Sequence, residues 1–136
     1  FVVRVAGNIS PDPSVFGSLE YAAGHVHTPL LVVLGHTQCG AVGAAVSGAE
    51  GEGGVREILH KIEPLVKKVK AQAPDLQGEA LTDKVAEENV LQAEQDLLAE
   101  SEEIRELVAK GKLKVVPAVY DIKTGQVNWI GEKARA

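Results

Sequence analysis

The chain has a single cysteine, no methionine, one tryptophan, and only two tyrosines and two phenylalanines in 136 residues. A lone cysteine excludes an intrachain disulfide and any CxxC redox pair. Long apolar runs are missing too. None approaches the roughly 20 residues that cross a bilayer, and no stretch has the pattern of a signal peptide. Positive charge is in short supply: 14 Lys and Arg face 19 Asp and Glu, for a net charge of -5. No basic face is therefore offered to nucleic acid or to an anionic membrane. A cytoplasmic enzyme or binding domain is the expectation. The missing methionine carries a second implication. The sequence opens directly in a strand-like run, Phe1-Val2-Val3-Arg4-Val5, and we expect further residues upstream of it in the natural protein.

What is present is ordinary for one folded domain: 45% of residues are hydrophobic and 24% charged, enough for a core without staples. Phe1–Val5 predicts a short buried strand. A loop through Gly7, Asn8, Ser10 and Pro11 leads to Asp12-Pro13, an N-cap followed by proline at the first helical position. Val15, Leu19, Ala22 and Val26 then recur at helical spacing as far as His27. Leu30–Leu34 predicts a strand buried on both faces, and Cys39–Val46 an alanine-rich helix. After the flexible Gly48–Gly54 loop, Ile58, Leu59, Ile62, Leu65, Val66 and Val69 mark an amphipathic helix bent near Pro64. Pro74–Gly78 breaks the pattern. Thr82 or Asp83 is expected to cap a longer helix with a core stripe of Ala86, Val90, Ala93 and Leu97. Ser101 caps another, which carries Ile104, Leu107 and Val108 and closes at Gly111. Lys112–Tyr120 predicts a third strand, Asp121–Gly125 a turn, and Gln126–Ile130 an edge strand. Alternating strands and helices imply an α/β fold: a mainly parallel sheet flanked by helices, with an antiparallel edge strand. Ligands of such sheets bind beyond the carboxyl ends of the strands.

That end of the second strand holds the most informative segment, Leu31-Val32-Val33-Leu34-Gly35-His36-Thr37-Gln38-Cys39-Gly40. Three readings fit its His-x-x-Cys. His36 is a hydrogen-bonded loop histidine and Cys39 a small apolar filler; or Cys39 is a nucleophile activated by the helix start and by His36; or both bind a metal, for which imidazole and thiolate suit zinc. Zinc takes at least three protein ligands, and this segment has two.

Phe1-Val2-Val3-Arg4-Val5-Ala6-Gly7-Asn8, followed by Val32-Val33-Leu34-Gly35-His36-Thr37-Gln38-Cys39-Gly40-Ala41-Val42, resembles the β-class carbonic anhydrases. Glu88-Asn89-Val90 and Ala118-Val119-Tyr120-Asp121-Ile122 with Gly125 are also similar to that family. The resemblance covers nearly the whole chain. It implies a homo-oligomeric zinc enzyme that hydrates carbon dioxide to bicarbonate and a proton. By motif match, His36 and Cys39 are two of the three protein ligands, and Gly40 lines the substrate space. The other cysteine, with an aspartate and its arginine partner, belongs in the family to a Cys-x-Asp-x-Arg motif upstream of the Phe-Val-Val-Arg strand. The resemblance therefore implies that residues 1–136 are a single domain lacking its N-terminal part, including a central strand between those matching Phe1–Val5 and Leu30–Leu34. Activity is conditional on those upstream residues. Relatives on this scaffold hydrolyse carbon disulfide or carbonyl sulfide, and a catalytically silent bicarbonate-binding or assembly protein is a further alternative. In some relatives, residues matching Arg4 and Tyr120 help form a bicarbonate pocket at a subunit interface; Arg4 equally suits a bracing role there.

Other candidates carry less. His25 and His27 fall near a helix end, where the dipole favours a cation. His60 lies on a charged helix face. The glycines from Gly48 to Gly54 follow a helix and lack Lys-Ser/Thr, so they form a linker rather than a phosphate loop.

Overall fold

The computed structural model describes residues 1–9 and 12–131; Ser10 and Pro11 of the expected loop lie outside the described residues. The chain enters as an extended segment, makes a single 3-10 turn at Ala6–Asn8, and forms helix α1 over Pro13–Glu20. Asp12 caps α1 as expected, its Oδ1 accepting from the amides of Ser14 at 2.9 Å and Val15 at 3.3 Å. Helical structure then widens into a π-turn at Tyr21–His25. The wider turn shifts the phase of the buried face, so Ala22 and Ala23 are buried while Val26, expected on the stripe, is exposed.

Strand β1 (Leu30–His36), helices α2 (Gly40–Ser47), α3 (Gly53–Gln72), α4 (Gly78–Glu100) and α5 (Glu102–Ala109), and strands β2 (Lys114–Tyr120) and β3 (Val127–Trp129) follow. Among the described residues the sheet has the order β1-β2-β3. β1 and β2 are parallel, with Leu30 opposite Lys114 and His36 opposite Tyr120. β3 is the expected antiparallel edge, pairing Tyr120 with Val127.

α4 ties the molecule together. Its first half packs Leu81, Val85 and Ala86 with Val42, Ala45, Leu59, Ile62 and Val69 of α2 and α3. Its second half sets Val90, Ala93 and Leu97 against Val33, Val115 and Val119 of the sheet and Ile104 of α5. The predicted stripe at Ala86, Val90, Ala93 and Leu97 is buried throughout. α3 runs through Pro64. A mid-helix proline costs about 3 kcal/mol. Burial of Leu59, Ile62, Leu65, Val66 and Val69, each worth about 1.5–3 kcal/mol, outweighs it.

Ser101 joins α4 to α5. It is 2% exposed, accepts from the Ile104 amide at 3.2 Å and donates to Glu20 Oε1 at 2.6 Å. Ser101→Ala removes the cap and leaves Glu20 without that donor. A loss of about 1–2 kcal/mol is expected, read as a lower urea midpoint at unchanged slope.

Two expectations about strands do not hold. Phe1–Val5 forms no strand: Phe1 and Val2 are 71% and 81% exposed, and the segment makes no strand pairing among the described residues. A β-prone sequence becomes a strand only beside an edge that satisfies its amides and carbonyls, and none lies along it among the described residues. Leu30–Leu34 is not buried on both faces either. Leu30, Val32 and Leu34 are exposed, whereas Val33 and Gly35 are buried. Helical cover reaches one face of β1, and its edge away from β2 has no partner among the described residues. β2 does follow the doubly buried pattern from Val115 to Val119.

Candidate metal centre at the carboxyl end of the first strand

β1 must come close to α4 to deliver its last residue. A Cβ on Gly35 would lie 2.4 Å from Val90 Cγ2, so only glycine permits the observed packing. His36 follows as the final strand residue, half-buried, level with Tyr120. Its Nδ1 lies 2.8 Å from the Thr37 carbonyl oxygen. A carbonyl only accepts, so for this hydrogen bond Nδ1 carries the proton and Nε2 keeps a free lone pair. That is the arrangement in which a metal-binding histidine is commonly held.

The turn after His36 is held from two sides. On one, the Thr37 amide donates to the Tyr120 carbonyl at 2.9 Å, and the Ile122 amide donates to Thr37 Oγ1 at 3.1 Å. On the other, Gln38 adopts a left-handed conformation with φ of 53°. Its amide donates to Asp83 Oδ1 at 3.1 Å, and its side-chain amide to Glu79 Oε1 at 3.4 Å. Lys123, in the turn after β2, pairs with the same Glu79 oxygen. The chain then straightens at Cys39, which has φ -67° and ψ 119° and is the N-cap residue of α2 without a capping side-chain bond. The thiol is free and partly buried, packed against the cluster formed by α2, α3 and α4. Gly40 is exposed, and a Cβ there would meet nothing within 4 Å.

Charge supports this frame modestly. Glu79 is held below its ordinary carboxylate value, first by the Lys123 hydrogen bond and then by that from Gln38. Lys123 is raised above its ordinary value by the same hydrogen bond to Glu79. Asp121, accepting backbone amides from Lys123 and Thr124, is also lowered, chiefly by the Lys123 amide. The lowered acid stabilises fully above the ordinary value of 4.5, and its contribution is lost as pH falls through the depressed one. The raised lysine stabilises fully below 10.5, and its contribution is lost as pH rises through the elevated one. The stability difference between wild type and Lys123→Ala should thus be flat near neutrality and shrink at both extremes. Both groups are exposed, so the difference should be small and fade in high salt; thermal melts across pH and salt check this.

Of the residues singled out in the sequence, His36, Cys39 and Gly40 share one turn, and Tyr120 stands beside it at the end of β2. Arg4 is exposed on the unpaired first segment. His25 stacks on Tyr21 with ring centroids 5.4 Å apart, and His60 is exposed on α3. Asp83 is not a cap: α4 begins at Gly78 with Gln77 as its N-cap residue, which frees the Asp83 side chain for Gln38. Asn89 was visible only as a motif letter; its Nδ2 donates to the Gly7 carbonyl at 2.6 Å, anchoring the first loop to α4. Among the described residues no group of three His, Cys, Asp or Glu could hold a metal. The donors at His36 and Cys39 suit zinc in kind and fall short in number. No helix among the described residues is long and apolar enough to cross a membrane.

A family profile described as carbonic anhydrase matches residues 1–127. Carbonic anhydrase 2 of Mycobacterium tuberculosis (strain CDC 1551 / Oshkosh) is 35% identical over 130 residues, 93% of this chain and 60% of the relative. The solved β-carbonic anhydrase CcaA is similar with a TM-score of 0.87 at 25% identity, covering 100% of this chain and 69% of that one. The Coccomyxa β-carbonic anhydrase, solved with acetazolamide, gives a TM-score of 0.85 at 28% identity, covering 96% of this chain and 60% of its own. The chain thus spans about 60% of the length of the curated relative it matches. With the profile running through both the Phe1–Asn8 and the His36–Cys39 motifs, this chain belongs to the β-carbonic anhydrase family.

Proposed function

We propose that the protein is a zinc-dependent carbonic anhydrase that interconverts carbon dioxide with bicarbonate and a proton. One observation carries the reading: a turn in which His36 has Nδ1 engaged and Nε2 free, with the chain's one cysteine three residues on. His36 Nε2 and Cys39 Sγ would hold the zinc. The two donors do not close the coordination, and we assign the remaining ligands, with the aspartate-arginine pair, to residues preceding Phe1. Residues 1–136 are then most of one domain that those residues complete.

Zinc, when bound, supplies the Lewis acidity that lets a water molecule lose its proton near neutral pH. The chain's own residues supply position. The Thr37 carbonyl accepts from Nδ1 of His36, so in the neutral ring the lone pair is on Nε2. The αL turn at Gln38 brings the chain round to Cys39. Gly40 leaves open space beside the pair, and there we place the substrate. We place the enzyme in the cytoplasm, where a reduced thiolate ligand is stable, as a homodimer or larger homo-oligomer. Tyr120 and Arg4 would then serve at a subunit interface, where they bind bicarbonate or brace the contact. Parallel assays of the full-length protein with carbon dioxide, carbonyl sulfide and carbon disulfide test the substrate. Turnover confined to carbon dioxide is expected; preference for either sulfur compound would replace this reading with the hydrolase one.

A further inference from the structure

We infer that Asp83 is a positioning residue for the metal site: by holding the Gln38 amide it keeps the two donors of the His36–Cys39 turn in place. The inference rests on the zinc reading above. The geometry behind it is local and specific. Gln38 is a non-glycine residue at φ 53°, a conformation that costs about 1–2 kcal/mol. It lies between the two donors, so relaxing it to the right-handed or extended region would redirect Cys39 relative to His36. Within the turn, His36 Nδ1 bonds the Thr37 carbonyl, while the Gln38 amide on the same peptide is held from outside the turn. The Gln38 amide donates to Asp83 Oδ1, 3.1 Å away and 45 residues on. A bond from a backbone amide to a carboxylate is charge-assisted and stronger than a neutral one.

Asp83 is well based for this. It is half-buried, flanked on α4 by the buried Leu81 and Val85. One turn earlier, Glu79 takes the Gln38 side chain and Lys123 together, while Thr37 is fastened to Tyr120 and Ile122. The turn is therefore clamped between α4 and the end of β2 with its following turn, with Asp83 the member that reaches the Gln38 backbone. Asp83 touches neither donor in the structure and acts on them only through the turn.

The test uses the full-length protein and the metal alone. For Asp83→Ala, zinc affinity by chelator competition is expected to fall about tenfold, the low end for outer partners of metal ligands. The cobalt-substituted protein should show shifted visible absorption. In the metal-free protein the Gln38 amide should exchange hydrogen faster. Asp83→Asn, which keeps an acceptor oxygen, should largely preserve affinity and exchange protection. Adding Gln38→Gly to Asp83→Ala should recover affinity, because glycine adopts the turn conformation without help; loss of charge alone would not be repaired this way. Alanine favours a helix and the site is half-exposed, so folding should survive. Should circular dichroism show otherwise, Asp83→Glu, which displaces the carboxylate by one methylene, gives the same readouts. Wild-type zinc affinity and unchanged Gln38 exchange in a folded Asp83→Ala protein would overturn the inference. A wild-type protein that binds no zinc would instead defeat the zinc reading, and amide exchange would still judge Asp83's hold on the turn.

Discussion

Cys39→Ser in the full-length protein should remove zinc binding and carbon dioxide hydration together while leaving the fold intact. The side chain is the N-cap residue of α2 but makes no capping bond, and it is only partly buried, so serine fits its place with little strain. Serine is a poor zinc ligand, since its hydroxyl stays protonated where a thiol would ionise on the metal. The expected loss of affinity exceeds the 10–100-fold typical of mutating outer partners. His36→Ala should behave alike, through loss of Nε2. Zinc content after dialysis, measured beside far-UV circular dichroism, separates ligand loss from unfolding. Persistent turnover in Cys39→Ser that resists chelators would contradict the assignment. Chelator-resistant turnover of wild type that a thiol reagent abolishes would point to the nucleophile reading instead.

The second large effect is on stability. Gly35→Ala places a methyl group 2.4 Å from Val90 Cγ2. Val90 is fully buried among α4, β1 and β2, so moving it displaces packed neighbours. Separation of β1 from α4 is the alternative, and overpacking of this kind costs roughly 3 kcal/mol. His36 is the next residue, so zinc affinity should fall as well. Gly35→Ala combined with Val90→Ala should lose much less than the sum of the two single variants, because the second removes the atom the first meets. Urea denaturation of the four proteins in this cycle gives the coupling. Strict additivity would show that the close approach is not what requires glycine.

Helices were readable where one residue pattern decided the outcome. The α4 stripe from Ala86 to Leu97 and the Ser101 cap follow from spacing and from one hydroxyl. Strand burial was less readable, because composition does not reveal which neighbour covers a face. Leu30, Val32 and Leu34 look like core yet stand open, and Phe1–Val5 has strand chemistry without an edge to join among the described residues. At the site, His36 and Cys39 could be found from one segment, since both donors lie in a single turn. Asp83, Glu79 and Lys123 could not. Asp83 and Glu79 meet Gln38, and Lys123 meets Glu79, only through the packing of α4 and the β2–β3 turn against β1, and acids on a helix look like solvated surface in any sequence. Thr82 and Asp83 both suit a cap by residue type, but the helix opens earlier, at Gly78, which releases Asp83.

Zinc content of the purified full-length protein tests the central claim most directly. One tightly held zinc per subunit, lost in both His36→Ala and Cys39→Ser with the fold retained, is the predicted result. A full-length wild-type protein that holds no zinc, or that keeps its zinc and its carbon dioxide hydration in both variants, would contradict it.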